Sequence, residues 1–193
     1  MSKCLIDYLK EIPDPRKLKG RHHELWQILL IIIMGMMSGN LSYQGLGRFA
    51  ERHRRSLIQQ LGIKQGTVPS YSTMRRLMMQ IDYHLLNAAF NSWAGEQAIS
   101  AAEAIAGDGK SLRNTVSNWD SCQQNFISMV SLFSQQQGIV VATAIMENKL
   151  ESEINVIQQL LKKLKLENHL FTLDALHCQK KQSRQSSLII TTT

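Results

Sequence analysis

Apolar residues in the first half of the chain recur at three- and four-residue steps, a spacing that predicts amphipathic helices over residues 1–94. The apolar stretch from Leu25 to Met37 is interrupted by Gln27, and its unbroken run falls well short of the roughly 20 residues that a membrane span needs. We therefore interpret it as a buried helix. The preceding residues 12–16 (IPDPR) predict an extended opener, because each proline restricts the residue before it and lacks a backbone donor.

A second predicted helix, residues 46–61, combines an apolar side with a basic outer face. Its apolar positions follow helical spacing and comprise Leu46, Phe49, Ala50, His53, Leu57 and Leu61. Its outer face carries candidate DNA contacts, namely Arg48, Arg52, Arg54 and Arg55. Gly62 and Gly66 are expected to end this helix.

The segment 69–73 (PSYST) predicts a cap for a third helix, whose apolar side comprises Met74, Leu77, Met78, Ile81 and Leu85. Residues 70–80 are our candidate recognition helix, because a helix N-terminus with arginines can meet phosphates or base edges. The residues that would do so are Tyr71, Ser72, Thr73, Arg75 and Arg76. The alternative is that they only cap and solvate a helix packed against its neighbour.

From about residue 100 the pattern changes from helical to strand-like. Strands are predicted at residues 102–107, 125–134 and 138–147, then a helix at 152–165 and a strand at 169–175. This order is typical of the opening half of a ribonuclease H-like fold, in which the fourth strand crosses over to lie beside the first. We therefore expect an α+β protein, with a helical N-terminal DNA-binding region followed by a truncated ribonuclease H-like α/β core.

The net charge of +7 lies entirely in the helical half. Residues 1–94 hold 13 Lys and Arg against 6 Asp and Glu, whereas residues 95–193 hold 9 of each. Such an excess favours an anionic partner, either nucleic acid or an acidic membrane. The 3 cysteines are far apart and form no CxxC pair, so neither a zinc site nor a disulfide framework is predicted, and a reducing cytoplasm fits.

Asp108 and Asp174, which follow or end predicted strands, are the candidate catalytic residues and metal ligands. Hard cations prefer oxygen ligands, and a pair of metal ions can stabilise both the attacking and the leaving oxygen in phosphodiester cleavage. On pattern alone, Asp108-Gly109 is also typical of a turn. Asp174 would be half buried without a partner, although an ordinary strand-end aspartate stays open as the alternative.

Motifs along residues 12–181 occur in the order of one known family. They are IPDPR (12–16), GRH (20–22), LSY (41–43), GRF (47–49), PSYST (69–73), DGKSLR (108–113), ESEI (151–154) and LDALHCQ (173–179). Together they resemble the H-repeat-associated insertion-sequence transposases of the ISAs type. The resemblance implies a bacterial Asp-Asp-Glu transposase, with Asp108 as its first catalytic acid, Asp174 as its second, and Mg²⁺ or Mn²⁺ as cofactor.

The resemblance also divides the chain. Residues 1–94 would be a transposase-associated, DNA-binding domain, residues 95–181 the front part of the catalytic core, and residues 182–193 a divergent tail. Residues that follow the two acids in the family's motif are expected to contact phosphates, with a solvated basic loop as the alternative: Lys110, Arg113, His177, Gln179 and Lys180. Residues 109–111 lack the upstream glycine of a phosphate loop, so no nucleotide site is predicted.

Two departures from the family pattern bear on activity. Gly107 stands where the family more often has a larger apolar residue, and glycine weakens a strand interior. No Asp or Glu occurs from Ala175 to Thr193, and the glutamates at 147, 151 and 153 lie upstream of Asp174, so no third catalytic Glu is found. The likeness ceases after Lys181. We expect a truncated protein, related to DNA transposition, that has lost cleavage; whether it is an enzyme stays open.

Two alternatives to a transposase enzyme follow from these departures. One is a non-catalytic DNA-binding or interaction protein that represses intact relatives. The other is an inert product, because a shortened core would expose apolar surface and an unpaired sheet edge. The expected partner is the DNA of insertion-sequence ends, in the cytoplasm and without a membrane. An oligomer of this chain, or of this chain with an intact transposase, stays open.

Overall fold

The computed structural model describes residues 3–96, 104–112, 115, 126–147, 152–164 and 170–173. The chain forms two compact units, Met1–Phe90 and Asn91–Thr193. The first is helical and the second contains a sheet, which confirms the α+β class. The helices of the first unit are α1 (Leu5–Glu11), α2 (Leu25–Met37), α3 (Tyr43–Arg52), α4 (Arg54–Leu61) and α5 (Tyr71–Met78), with a 3-10 turn at Leu18–Gly20; α6 (Tyr83–Glu96) begins in the first unit and ends in the second.

The core of the helical unit forms around α2, whose Ile28 and Ile31 are fully buried. Gln27, the polar residue of this helix, is also buried, and its Nε2 donates to the Leu61 carbonyl at 3.0 Å. That bond satisfies a carbonyl at the end of α4, where Gly62 adopts a left-handed conformation with φ of 62°. None of the described helices has the length and apolar character to cross a membrane, and α2 spans 13 residues.

The single helix predicted over residues 46–61 is wrong, because α3 and α4 are separated at His53. His53 has φ of −99° and ψ of 14°, outside helical values, and it is exposed rather than on the apolar side. Its ring lies 4.8 Å from that of Phe49, measured between centroids. The buried positions Leu46, Phe49 and Leu57 keep helical spacing across the break, so periodicity alone does not reveal it.

The third predicted helix is also two helices, since α5 ends at Met78 and α6 begins at Tyr83. Asp82 explains the new start, because its Oδ1 accepts a hydrogen bond from the His84 backbone at 2.8 Å. Leu85, which the pattern assigned to the same apolar side as Met74, is 41% exposed. Helices were predicted over residues 1–94, but no individual helix was assigned before Leu25, where α1 lies with its Tyr8 and Leu9 buried.

The second unit contains a four-stranded sheet in the order β3-β2-β1-β4. β1 pairs antiparallel with β2, β2 pairs antiparallel with β3, and β4 lies parallel to β1 on its other side. The fourth strand therefore lies beside the first, as the element order predicts. The elements are β1 (Ala104–Ser111), β2 (Ile127–Ser134), β3 (Ile139–Glu147), α7 (Glu153–Leu164) and β4 (Leu170–Leu173).

One face of this sheet packs against α7. Ile105, Val130 and Leu132 form a buried cluster with Val156, Ile157 and Leu160 of the helix. Burial alternates along β2, because successive side chains of a strand point to opposite faces. Ile105 and Gly107 of β1 are buried, and the residues that alternate with them, Ala106 and Asp108, belong to the other face of the sheet.

Candidate functional site

The arginines that the sequence assigned to DNA contact are exposed on α3 and α4, at Arg48, Arg52, Arg54 and Arg55. Arg54 is engaged within the chain. Its Nη1 lies 3.4 Å from Glu51 Oε1, and its Nη2 donates to the Gly66 carbonyl at 2.9 Å. Arg54 therefore helps to hold the connection after α4, whereas the other three have no carboxylate partner in the part of the chain that the structure describes.

The start of α5 is organised by Ser70, whose Oγ accepts the Thr73 backbone N–H at 3.4 Å. The same Oγ lies 3.0 Å from Ser72 Oγ and 3.1 Å from Thr73 Oγ1. These two hydroxyls thus take part in the cap of α5. The predicted contacts Tyr71, Arg75 and Arg76 are exposed, and Arg76 Nε donates to the Ser72 carbonyl at 3.2 Å.

Two cavities meet at this helix start, and Ser70 borders both. The smaller, of about 430 Å³, brings together Arg48 of α3 and Tyr71 of α5. The larger, of about 860 Å³, lies between α5 with its preceding connection and the segment Pro15–His23. We call this larger cavity the basic groove; its charged and histidine lining residues are Arg16, Lys17, Lys19, His22, His23 and Arg76.

The segment that forms one wall of the basic groove is held by a buried ion pair. Arg16 donates through Nε and Nη2 to the two carboxylate oxygens of Asp14, at 2.9 and 2.7 Å, and both side chains are nearly buried. Arg16 Nη2 also donates to the His23 carbonyl at 2.7 Å, and Arg21 Nη2 donates to the Asp14 carbonyl at 3.0 Å. These bonds close residues 14–23 into a fixed loop.

The ion pair determines the charge state of its carboxylate. Burial by itself raises the pKa of Asp14, but hydrogen bonds from the Arg16 side chain and backbone, with the positive charges of Arg16 and Arg21, outweigh burial and leave that pKa below its usual value. The pKa of His23 is lowered, first by burial and then by the charges of Arg16 and His22. Asp14 is therefore ionised and His23 neutral near neutral pH.

These lining residues, Arg16 to His23, were not among the candidate DNA contacts predicted from the sequence, because residues 12–16 were interpreted as an extended opener and, with residues 20–22, as family motifs. The signal was present as a basic run, RKLKGRHH, at residues 16–23. Its relation to α5 depends on tertiary packing, because the two walls of the groove are some fifty residues apart in the sequence.

Asp108 lies inside β1 rather than after it, which corrects both the predicted strand end and the turn alternative. β1 continues to Ser111, and Asp108 pairs in register with Ser131 of β2. On the other side, the parallel pairing with β4 ends at Gly107 opposite Leu173. The next residue in sequence after each member of that pair is an aspartate, Asp108 after Gly107 and Asp174 after Leu173.

Asp108 is exposed, and the side chain of Lys110, two residues further along β1, belongs to the same face. Other predicted contacts lie outside the described residues: Arg113, Asp174, His177, Gln179 and Lys180. Within the described ranges there is no group of three His, Cys, Asp or Glu side chains able to hold a metal ion. The described part of the site thus offers one carboxylate, Asp108, with the oxygen chemistry that Mg²⁺ prefers.

The chain is similar to one domain family and to several known proteins. The domain family described as DDE_Tnp_1-associated matches residues 6–94. Over 91% of its length the chain is 32% identical to Putative transposase YncI of Escherichia coli O157:H7, and it covers 44% of that relative. Over the same share of its length it is 31% identical to Putative transposase YncI of Escherichia coli strain K12, of which it covers 70%. It is 28% identical to H repeat-associated putative transposase YhhI of strain K12, over 92% of this chain and 46% of the relative. The chain thus spans less than half the length of the O157:H7 protein and of YhhI.

A solved structure gives a similar indication for the fold. The chain is similar to piggyBac transposase, seen by cryo-electron microscopy in a synaptic complex with hairpin DNA, with a TM-score of 0.51 and 10% sequence identity. The similarity covers 98% of this chain and 48% of that transposase. At this identity the likeness concerns the fold alone.

Proposed function

The chain belongs to the family of H repeat-associated transposases, and we propose that it binds the DNA ends of an insertion sequence through its helical residues 1–94. The observation that carries this proposal is a set of exposed arginines on α3, α4 and α5, which we call the arginine surface: Arg48, Arg52, Arg55, Arg75 and Arg76. Among the described residues no carboxylate pairs with any of them. Such cations can neutralise DNA phosphates and release counterions.

For residues 95–181 we propose a ribonuclease H-like core. Support comes from the sheet order β3-β2-β1-β4, with an antiparallel meander followed by a strand that crosses over through α7 to lie parallel to β1. The fold similarity to a solved transposase agrees with this proposal.

In this core, Asp108 and Asp174 would hold Mg²⁺ or Mn²⁺, since carboxylate oxygens are the ligands that hard cations prefer. When bound, the cation would activate the attacking oxygen and stabilise the leaving oxygen in phosphodiester cleavage and strand transfer. The register at Gly107 and Leu173 supports this proposal, because these paired residues of adjacent parallel strands are each followed in sequence by one of the two aspartates. Lys110, on the same face as Asp108, would neutralise a neighbouring phosphate. Arg113, His177, Gln179 and Lys180 are proposed to do the same.

We further propose that DNA binding by residues 1–94 requires neither Asp108 nor Asp174, because the arginine surface lies outside the residues 95–181 that contain both acids. A repressor of intact relatives is the second candidate function, favoured by the position of the arginine surface, which lies in the helical unit and away from Asp108 in sequence. Occupying element ends requires the arginines but none of the acids.

The test measures the salt dependence of DNA binding by the fluorescence anisotropy of a labelled duplex, in the presence of EDTA. The double variant Arg48→Ala/Arg52→Ala removes two cations of the arginine surface, and Lys64→Ala/Lys162→Ala removes two exposed cations from elsewhere as a matched control. Each lost phosphate contact should reduce the slope of log affinity against log salt by about 0.9. A slope lowered in the first variant and retained in the second supports the arginine surface. Equal slopes in all three proteins would contradict it.

A further inference from the structure

The basic groove combines several cations with no acid among its lining residues. Arg16 is neutralised by Asp14, but Lys17, Lys19 and Arg76 have no carboxylate partner in the ranges that the structure describes. These three come from two elements, the Pro15–His23 loop and α5, so their positive charge is distributed along the groove. An extended polyanion matches such a distribution better than a single small anion does.

Unsatisfied donors and acceptors point to the same place. Arg16 Nη1 and His23 Nδ1 are buried side-chain nitrogens without a hydrogen-bond partner among the described residues, and both residues line the basic groove. The Arg16 side chain is only 9% exposed. An unpaired buried polar atom costs free energy, and the guanidinium nitrogen is a donor only. The wall of the basic groove therefore includes an arginine whose donors are only partly satisfied within the chain.

The groove also has the dimensions and the polarity for a polyanion. Its volume of about 860 Å³ is large enough for a ligand of many atoms. The N-terminus of α5 borders the groove at Ser70 and Thr73, where the helix dipole favours negative charge. The loop wall is held by the Asp14–Arg16 ion pair, so Lys17 and Lys19 project from a fixed backbone.

We propose that the basic groove binds a segment of DNA sugar-phosphate backbone, with Lys17, Lys19 and Arg76 contacting successive phosphates. This inference rests on the proposed DNA-binding function and adds to the arginine surface a second contact, formed by a loop that the sequence reasoning did not assign to DNA. Contacts to phosphates carry no base information, so the groove positions the duplex and does not read its sequence.

The experiment uses the full chain and a labelled 30-base-pair duplex of arbitrary sequence. Lys17→Ala/Lys19→Ala is compared with Lys64→Ala/Lys162→Ala, which removes the same charge outside the groove, and with Lys17→Arg/Lys19→Arg, which keeps the charge. Affinity falls as salt rises from about 50 to about 200 mM. Loss of two phosphate contacts should make this fall in affinity about ten-fold smaller. The slope should fall only in the first variant and be retained in the arginine variant. Circular dichroism and the melting temperature should be unchanged, since both lysines are exposed.

The failures can be told apart. If Lys17→Ala/Lys19→Ala binds with the same slope as its matched control, the groove assignment is overturned while DNA binding by the chain stands. If the wild-type chain binds no duplex, the proposed function falls and the groove assignment with it. If inorganic pyrophosphate raises the melting temperature of the wild type and not of Lys17→Ala/Lys19→Ala, without any duplex binding, the groove takes a free phosphate ligand instead of DNA.

Discussion

Gly47 of α3 and Tyr71 at the start of α5 approach so closely that a methyl group on Gly47 would lie 2.9 Å from Tyr71 Cβ and 3.3 Å from its backbone nitrogen. Glycine is therefore required where the two helices meet. Arg48, the next residue of α3, lines the same cavity as Tyr71. The close contact between Gly47 and Tyr71 thus holds the arginines of α3 next to the beginning of α5.

Replacing Gly47 with alanine should destabilise the helical unit by about 1–3 kcal/mol, because an added methyl group would overpack a contact made with backbone atoms. Denaturant unfolding measures this loss. Gly20→Ala is the matched control, since nothing lies within 4 Å of a Cβ at that position and it should change stability little. A Gly47→Ala protein as stable as wild type would show that α3 and α5 do not depend on this approach.

Asn91 protects the open edge of the sheet. Its Nδ2 donates to the Thr143 carbonyl and its Oδ1 accepts the Thr143 backbone N–H, both at 2.8 Å, on the edge strand β3. Asn91→Ala should cost about 1–3 kcal/mol in the free energy of unfolding, because it leaves backbone groups of a half-buried residue without these bonds. Ser92→Ala, on the exposed neighbouring residue, should be neutral. Equal stability of the two variants would refute the role of Asn91.

His23 should make the protein less stable in mild acid. Burial and nearby positive charges lower its pKa in the folded state, whereas in the unfolded chain it titrates near its ordinary value of about 6.5. As pH falls through about 6.5 the unfolded state binds more protons, so stability decreases until the folded pKa is passed. His23→Gln should flatten the dependence of the urea midpoint between about pH 7.5 and about pH 5.5. An unchanged pH dependence of the midpoint in His23→Gln would contradict this role of His23.

Asp108 is expected to bind a divalent cation together with Asp174. Mn²⁺ titration followed by electron paramagnetic resonance should show less bound cation in Asp108→Asn, because an amide is a weaker ligand than a carboxylate for a hard cation. Asp82→Asn, which changes an exposed acid of the helical unit, is the control. Supercoiled plasmid should stay intact with Mn²⁺ and the wild-type chain. If the wild-type chain nicks the plasmid and Asp108→Asn does not, the expected loss of cleavage is contradicted. The assignment of Asp108 as a catalytic residue is then supported.

The regular parts of the fold were predictable because each has a strong local pattern. α2 covers Leu25–Met37 as predicted, since an apolar run of this length favours a buried helix. β3 begins within one residue of the predicted start, because residues 139–146 are rich in β-branched and apolar side chains. Single-residue interruptions were not predictable in this way. At His53 the apolar spacing continues through the break, and at Asp82 one side-chain hydrogen bond starts a new helix.

Candidate site residues could be predicted from the sequence only where they lie on a single helix or strand. The arginines of α3 and the cap of α5 could be recognised from local sequence, whereas the basic groove could not, because its walls come from residues 15–23 and 65–80. The buried Asp14–Arg16 pair that shapes one wall lies within a segment that was interpreted as an extended opener and a family motif, and not as part of a binding site. Asp108 was assigned to the end of a strand, but β1 continues to Ser111, and the position of Asp108 inside β1 depends on pairing with β2.

The central claim, that the helical unit holds the DNA, is tested most directly by photo-cross-linking the 193-residue chain to a duplex and identifying the attached peptides by mass spectrometry. We expect cross-links in peptides containing residues 16–23, 48–55 and 71–76, with fewer at Lys110. Cross-links confined to residues 104–173, or their absence from all three helical-unit peptides while the duplex is bound, would contradict it.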